Sequence, residues 1–286
     1  MNRKPSDMTP TMHTRDLFRR SARRHRGLLL MAALTLLLPA CSRDRQRDTN
    51  IEQPAHELAS RILAPGMGTI GLVQEGKVYV YFINEQYAWV LDKLSQFNIP
   101  EDNNGLLAMG MGTIGVVEGG EIRFYRLDAY NNWISEERFT FRLPRRYDRL
   151  MAMKMPWEMG VIGIEHHGFT EFFYFSESGE WTQDETAVFE VPEGVDRYFP
   201  LGSMMMAGVD GHRLGVYALQ AEGGWQLLEN QVLRLPGGYE AIIPWEPGVL
   251  AVLLEDRLEF FQLETEQGRW ITDEQMVFVL PSGSGQ

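Results

Sequence analysis

The hydrophobic and polar positions beyond residue 60 fall into one pattern, repeated. Leu63-Ala64-Pro65-Gly66-Met67-Gly68-Thr69-Ile70-Gly71 returns as Leu107-Ala108-Met109-Gly110-Met111-Gly112-Thr113-Ile114-Gly115, with one position changed. The repeat then loosens but keeps its landmarks. Trp89, Trp133, Trp181, Trp225 and Trp270 are 44, 48, 44 and 45 residues apart. Each is followed eleven residues later by a proline: Pro100, Pro144, Pro192, Pro236 and Pro281. Self-similarity at a period of 20–50 residues marks a solenoid, a propeller or an array.

Within one copy the pattern predicts four short strands. In the second copy these are Leu106–Met109, Thr113–Val117, Ile122–Leu127 and a last one at Arg138–Leu143. Glu118-Gly119-Gly120 turns the second strand into the third, and Asp128–Asn132 the third into the fourth. The last strand alternates Phe139, Phe141, Leu143 against Arg138, Thr140, Arg142, so one face is wet and the strand is outermost. Third strands such as Val78-Tyr79-Val80-Tyr81-Phe82-Ile83 are apolar on both sides, which predicts burial between packed sheets.

Five such units of about 45 residues predict an all-β fold, a five-bladed β-propeller of four-stranded blades. An open or paired β-sandwich array is the alternative. In repeat length and count the chain resembles the five-bladed lectin-type propellers, such as the tachylectin family. That resemblance implies a glycan-binding role, although here the recurring residues are apolar rather than polar.

The first forty residues follow a different rule. Arg19, Arg20, Arg23, Arg24 and Arg26 precede the uncharged run Gly27–Leu38, which is shorter than the roughly 20 residues needed to span a bilayer. A basic flank, a short apolar run and a small residue make a secretory signal. The only cysteine, Cys41, follows Leu38-Pro39-Ala40 directly. This resembles the lipobox of bacterial lipoproteins. The resemblance implies cleavage after residue 40 and acylation, with palmitate-type chains, of the Cys41 thiol and new amino group. Ser42, where an Asp would favour inner-membrane retention, implies the outer membrane, facing the periplasm. The expected organisation is therefore a signal peptide over 1–40, a lipidated cysteine and tether over 41–57, and a propeller over 58–286.

Charge narrows the partners. The whole chain carries 27 Lys and Arg against 39 Asp and Glu; from residue 41 onward the balance is 19 against 37. Such a surface repels phosphate polyanions, so nucleic acid is not an expected partner.

Candidate chemistry is sparse. The five repeat tryptophans are expected to pack blade on blade. Pro156-Trp157-Glu158-Met159-Gly160 and Pro244-Trp245-Glu246-Pro247-Gly248 stand apart, 88 residues from one another. Each lies where the first strand turns into the second. An indole beside a carboxylate at a loop tip suits sugar stacking or a protein contact, so Trp157, Glu158, Trp245 and Glu246 are the candidate partner or ligand residues; the alternative is a plug at the channel mouth. Glu85, Asp128, Glu177, Glu180, Glu222 and Glu264 predict an acidic face. Methionines crowd the inner strands (Met109, Met111, Met151, Met153, Met155 and Met204–Met206) and are read as packing, with soft-metal binding as the rival. His166, His167 and His212 sit in turns without tight ligand spacing, so no metal is expected. The inner strands read as Leu, Ala, Met, Ile and Gly. No Gly-x-Ser-x-Gly motif, phosphate loop or zinc helix appears, so neither an enzyme nor a cofactor is expected.

Overall fold

The computed structural model describes residues 60–281 except 67, 157, 273 and 275. The signal segment, Cys41 and the tether, like Trp157, lie outside the described residues.

Five antiparallel sheets follow one another along the chain, each a simple up-and-down meander. Blade 1 is β1 (Ile62–Gly66), β2 (Thr69–Gln74), β3 (Lys77–Ile83) and β4 (Trp89–Asn98). Blade 2 is β5 (Gly105–Gly110), β6 (Thr113–Glu118), β7 (Glu121–Leu127), β8 (Trp133–Ser135) and β9 (Phe141–Arg142). Blade 3 is β10 (Arg149–Met155), β11 (Glu158–His166), β12 (Phe169–Phe175) and β13 (Trp181–Glu190). Blade 4 is β14 (Arg197–Gly202), β15 (Met205–Asp210), β16 (Arg213–Leu219), β17 (Trp225–Leu227) and β18 (Leu233–Arg234). Blade 5 is β19 (Ala241–Glu246), β20 (Val249–Leu254), β21 (Arg257–Glu264), β22 (Arg269–Thr272) and β23 (Phe278–Val279). The innermost strands β1, β5, β10, β14 and β19 each touch the next, and β19 touches β1, so the ring is closed. The fold is the five-bladed propeller that the repeat predicts.

Two local expectations change. In blade 2 the fourth strand is not continuous: residues Glu137–Phe139 form a 3-10 turn between β8 and β9, with the Phe139 N–H donating to Glu136 O. The alternation of residues 138–143 is real, but only Phe141 and Arg142 remain on the ladder with β7. In β3, burial alternates: Val78 and Val80 are buried, Tyr79 and Tyr81 half-buried, and Phe82 is exposed. The aromatic stretch therefore does not lie wholly between sheets.

Each core layer lies in the seam between two blades. One layer joins Ile62, Ile70 and Leu72 of blade 1 to Ala251, Leu253, Phe260 and Phe278 of blade 5. Four of the five repeat tryptophans complete these seams in the same way. The indole N–H donates to a carbonyl in the fourth-strand segment of the preceding blade: Trp133 to Ser95 O (2.9 Å), Trp181 to Phe139 O (2.7 Å), Trp225 to Ala187 O (3.0 Å) and Trp270 to Gln231 O (3.4 Å). A ring two residues further on packs against the same indole: Phe97 on Trp133, Phe141 on Trp181 and Phe189 on Trp225, at 5.1, 5.4 and 5.3 Å between centroids. At the closing seam Phe278 meets Trp89 at 5.2 Å.

Candidate functional site

The meander puts the turns between first and second strands, and those between third and fourth, on one face of the disc. A cavity of about 710 Å³ opens there, at the end of the central channel, lined by Met111, Lys154, Met155, Met205, Glu246 and Leu263 among others. Its walls are the ends of the inner strands. These end in a bulge at Gly66, Gly110, Met155, Gly202 and Glu246, one from each blade. Glycine is required at Gly202, where φ is +88° and a Cβ would lie 2.8 Å from Pro247 Cα and 2.9 Å from Lys154 O.

Lys154 is the residue the sequence reading missed. It interrupts the apolar run Met151-Ala152-Met153-Lys154-Met155, and it is buried. Its side chain leaves blade 3 and reaches blade 5. There Nζ donates to Pro244 O and Trp245 O, both at 2.6 Å. Burial pulls the ammonium down to about 7, against the upward pull of Glu246.

This crossing changes how the ring is closed. Elsewhere a turn N–H donates to the inner strand of the preceding blade: Gly112 to Pro65 O (3.0 Å), Ser203 to Lys154 O (3.0 Å), Gly248 to Leu201 O (2.9 Å). At the closing seam the corresponding carbonyl is Trp245 O, which Lys154 occupies. Gly68 N–H donates instead to Glu246 Oε1 at 3.0 Å. Lys154 and Glu246 together replace one backbone bond.

Trp245 is not at a loop tip. It lies in β19 and is only 5% exposed. It continues the alternation of β19, in which Ala241, Ile243 and Trp245 are the buried positions, so its indole faces the seam with blade 1. There the N–H donates to Thr69 O (2.9 Å), and the ring lies 4.6 Å from Phe260 and 6.0 Å from Trp89. Its place as an exposed binding indole is thereby corrected: the ring is core. Glu158 pairs with Met155 across the blade 3 turn. Trp157 lies outside the described residues.

Two of the acidic turn residues are tied locally. Asp128 Oδ1 accepts the N–H groups of Tyr130 and Asn132, both at 2.8 Å, and this holds its carboxyl below the usual range. Glu264 pairs with Arg269 at 2.7 Å. His212 packs edge-on against Tyr239 at 5.6 Å, and His167 N–H donates to Asp148. Met109, Met151, Met153 and Met206 are buried in the seams, whereas Met111, Met155 and Met205 line the cavity.

Exposed apolar side chains occur on every blade, Phe169, Leu227 and Val279 among them, and the two most exposed lie on blades 1 and 2. There Tyr130 is 84% exposed, Leu94 75% and Tyr87 55%; Phe82, Val90 and Ile134 are also exposed. All belong to the third and fourth strands, or the turn between them, in blades 1 and 2. Phe82 and Val90 are direct cross-strand partners. Leu94 is one residue from Ser95, the acceptor of the Trp133 N–H, so it lies where the two blades meet.

No protein-family model and no curated protein matches the chain. Solved structures similar to it include a protein from Lactobacillus plantarum, at 10% identity and a TM-score of 0.38, covering 75% of this chain and 69% of that one. Hsv2p of Kluyveromyces lactis gives 9% and 0.36 over 73% of this chain and 60% of its own. A functionally unknown protein from Desulfotomaculum acetoxidans gives 12% and 0.35 over 72% and 66%.

Proposed function

We propose that this chain is a lipid-anchored, non-catalytic scaffold of the bacterial envelope that holds another envelope protein on its propeller. The observation that carries the reading is the use made of the two charged groups in the channel. Lys154 donates to Pro244 O and Trp245 O, and Glu246 accepts from Gly68. Both are tied into the frame of the ring. The molecule then offers rigid, broad faces bearing exposed tyrosine and leucine, the kind of side chain that anchors protein contacts. Leu38-Pro39-Ala40-Cys41 and Ser42 support an acyl anchor in the outer membrane, and a membrane tether raises local concentration for a partner.

The test is purification of the tagged full chain from gently solubilised envelopes, beside Cys41→Ala. The wild type should fractionate with the outer membrane and bring a stoichiometric companion that rebinds it from purified components. Cys41→Ala should be released to the soluble fraction. A chain that purifies alone and binds sugars on a glycan array is instead a lectin, and the scaffold reading falls.

A further inference from the structure

We propose that the outer rim of blades 1 and 2 is the surface that binds the partner, and that the partner is a protein presenting an apolar knob between basic flanks. The proposal rests on the scaffold reading above and adds where the contact is made and with what chemistry.

The five blades are built alike, so differences among them are informative. The third-to-fourth-strand turn closes in the same way in four of them. Tyr87 N–H donates to Asn84 O, Asn131 to Asp128 O, Gly179 to Ser176 O and Gly223 to Gln220 O, all within 2.9–3.1 Å. The donor residue is left-handed each time, with φ of +58°, +63°, +84° and +91° in that order. Glycine and asparagine tolerate that conformation; a bulky ring does not. Blade 1 nevertheless places Tyr87 there and leaves it exposed. Strain of this kind, roughly 1–2 kcal/mol, persists where the side chain has a use.

The neighbouring positions vary in the same sense. In blade 2 the turn carries Tyr130, where blades 3 and 4 carry Ser178 and Glu222. After the repeat tryptophan come Val90 and Ile134 in blades 1 and 2, but Thr182 and Gln226 in blades 3 and 4. Leu94 occupies the position of Thr186, two residues after an aspartate whose Oδ1 accepts its N–H in both blades. Phe169, Leu227 and Val279 are exposed in blades 3, 4 and 5, but among the described residues only blades 1 and 2 carry exposed apolar side chains on both the turn and the fourth strand that follows it.

Charge decides the occupant. Residues 60–148, which form blades 1 and 2, hold nine Lys and Arg against eleven Asp and Glu. Blade 3, residues 149–196, holds two against ten; blade 5, residues 241–281, holds two against eight. Blade 4, residues 197–240, is near-neutral as well at three against four, and the apolar sector of blades 1 and 2 likewise sits between the two strongly acidic blades. A partner with an apolar centre and Lys or Arg on either side complements all three sectors. The same acidic flanks repel a second copy of this chain and an anionic lipid surface.

The test places a photo-crosslinking amino acid in the full, membrane-anchored chain at position 87, 94 or 130, with positions 178 and 222 as controls. The expected result is one and the same protein adduct from 87, 94 and 130, absent from 178 and 222. That protein, purified, should bind the wild type, lose at least about tenfold in affinity with Leu94→Glu or Tyr130→Glu, and weaken as salt is raised and screening shortens. An adduct to a second copy or to lipid overturns the proposal, as does binding that ignores salt. Adducts from 178 or 222 alone overturn this surface and leave the scaffold reading standing. No protein adduct from any position overturns both. Should a glutamate variant fail to fold, the crosslinking map still decides.

Discussion

Lys154 and Trp245 lie in the inner strands of blades two apart in the ring, yet the Lys154 ammonium donates to the Trp245 carbonyl at 2.6 Å. The bond runs across the channel rather than around it. It displaces the carbonyl from its usual role, and the Glu246 carboxylate takes over the neighbouring Gly68 N–H.

This substitution predicts a difference between two variants at one position. Glu246→Gln keeps an oxygen for Gly68 N–H and should cost little. Glu246→Ala leaves that donor without a partner and should cost about 1–3 kcal/mol. Urea unfolding of the three proteins checks the order.

Lys154 predicts a pH dependence with a definite sign. Its ammonium is pulled down to about 7 in the folded chain, from 10.5. Between those values the unfolded chain binds the proton and the folded chain does not. The penalty for burying the charge is full below pH 7 and fades as pH rises toward 10, so stability should rise through that window. The slope is at most about 1.4 kcal/mol per pH unit. In Lys154→Met, melting temperatures measured from pH 6 to 9.5 should lose that rise. Tyr81, Tyr198 and Tyr217, raised from 10.0 by burial, keep their protons across the window.

Trp245 fills the closing seam, so Trp245→Ala should destabilise by about 3–5 kcal/mol through lost burial and the cavity left behind. Trp245→Phe keeps most of the ring and loses only the bond to Thr69 O, and should cost less. Calorimetry of both variants reads the difference.

At Tyr87 stability and binding should move in opposite directions. Tyr87→Asn relieves the left-handed strain and should raise stability by up to about 1 kcal/mol. The same change removes an exposed ring and should weaken partner capture. A variant that is both less stable and equally good at binding contradicts the assignment.

The fold was legible because its repeat is spelled out in large residues. A tryptophan with a proline eleven positions later marks each blade, and a Phe or Leu at the eighth position, equally regular, marks the seam it packs in. The broken fourth strand of blade 2 was hidden because the residues alternate through 138–143 as a strand would, although the 3-10 turn at Glu137–Phe139 has a three-residue period. The channel was misread for a different reason. Periodicity treats Lys154 as one polar residue in an apolar strand, and only a five-membered ring brings it within reach of Trp245 O. Trp245 looked like a loop tip because Pro and Gly surround it. The strand runs on through that Pro, and the alternation of Ala241, Ile243 and Trp245 carries the ring into the core. The rim of blades 1 and 2 could have been found by comparing the copies for what differs rather than for what recurs.

Among the described residues the blades exchange no strand: each sheet is built from one stretch of chain. Mechanically the disc is a split washer. Four of its five joints are backed by covalent linkers, and the fifth, between blades 5 and 1, is a clasp made of Trp89, Trp245, Phe278 and the Gly68–Glu246 bond. A load that pries the clasp open also pulls blade 5 away from blade 3, and so strains the Lys154 brace across the hub. The brace shares the load of that joint with the opposite side of the wheel.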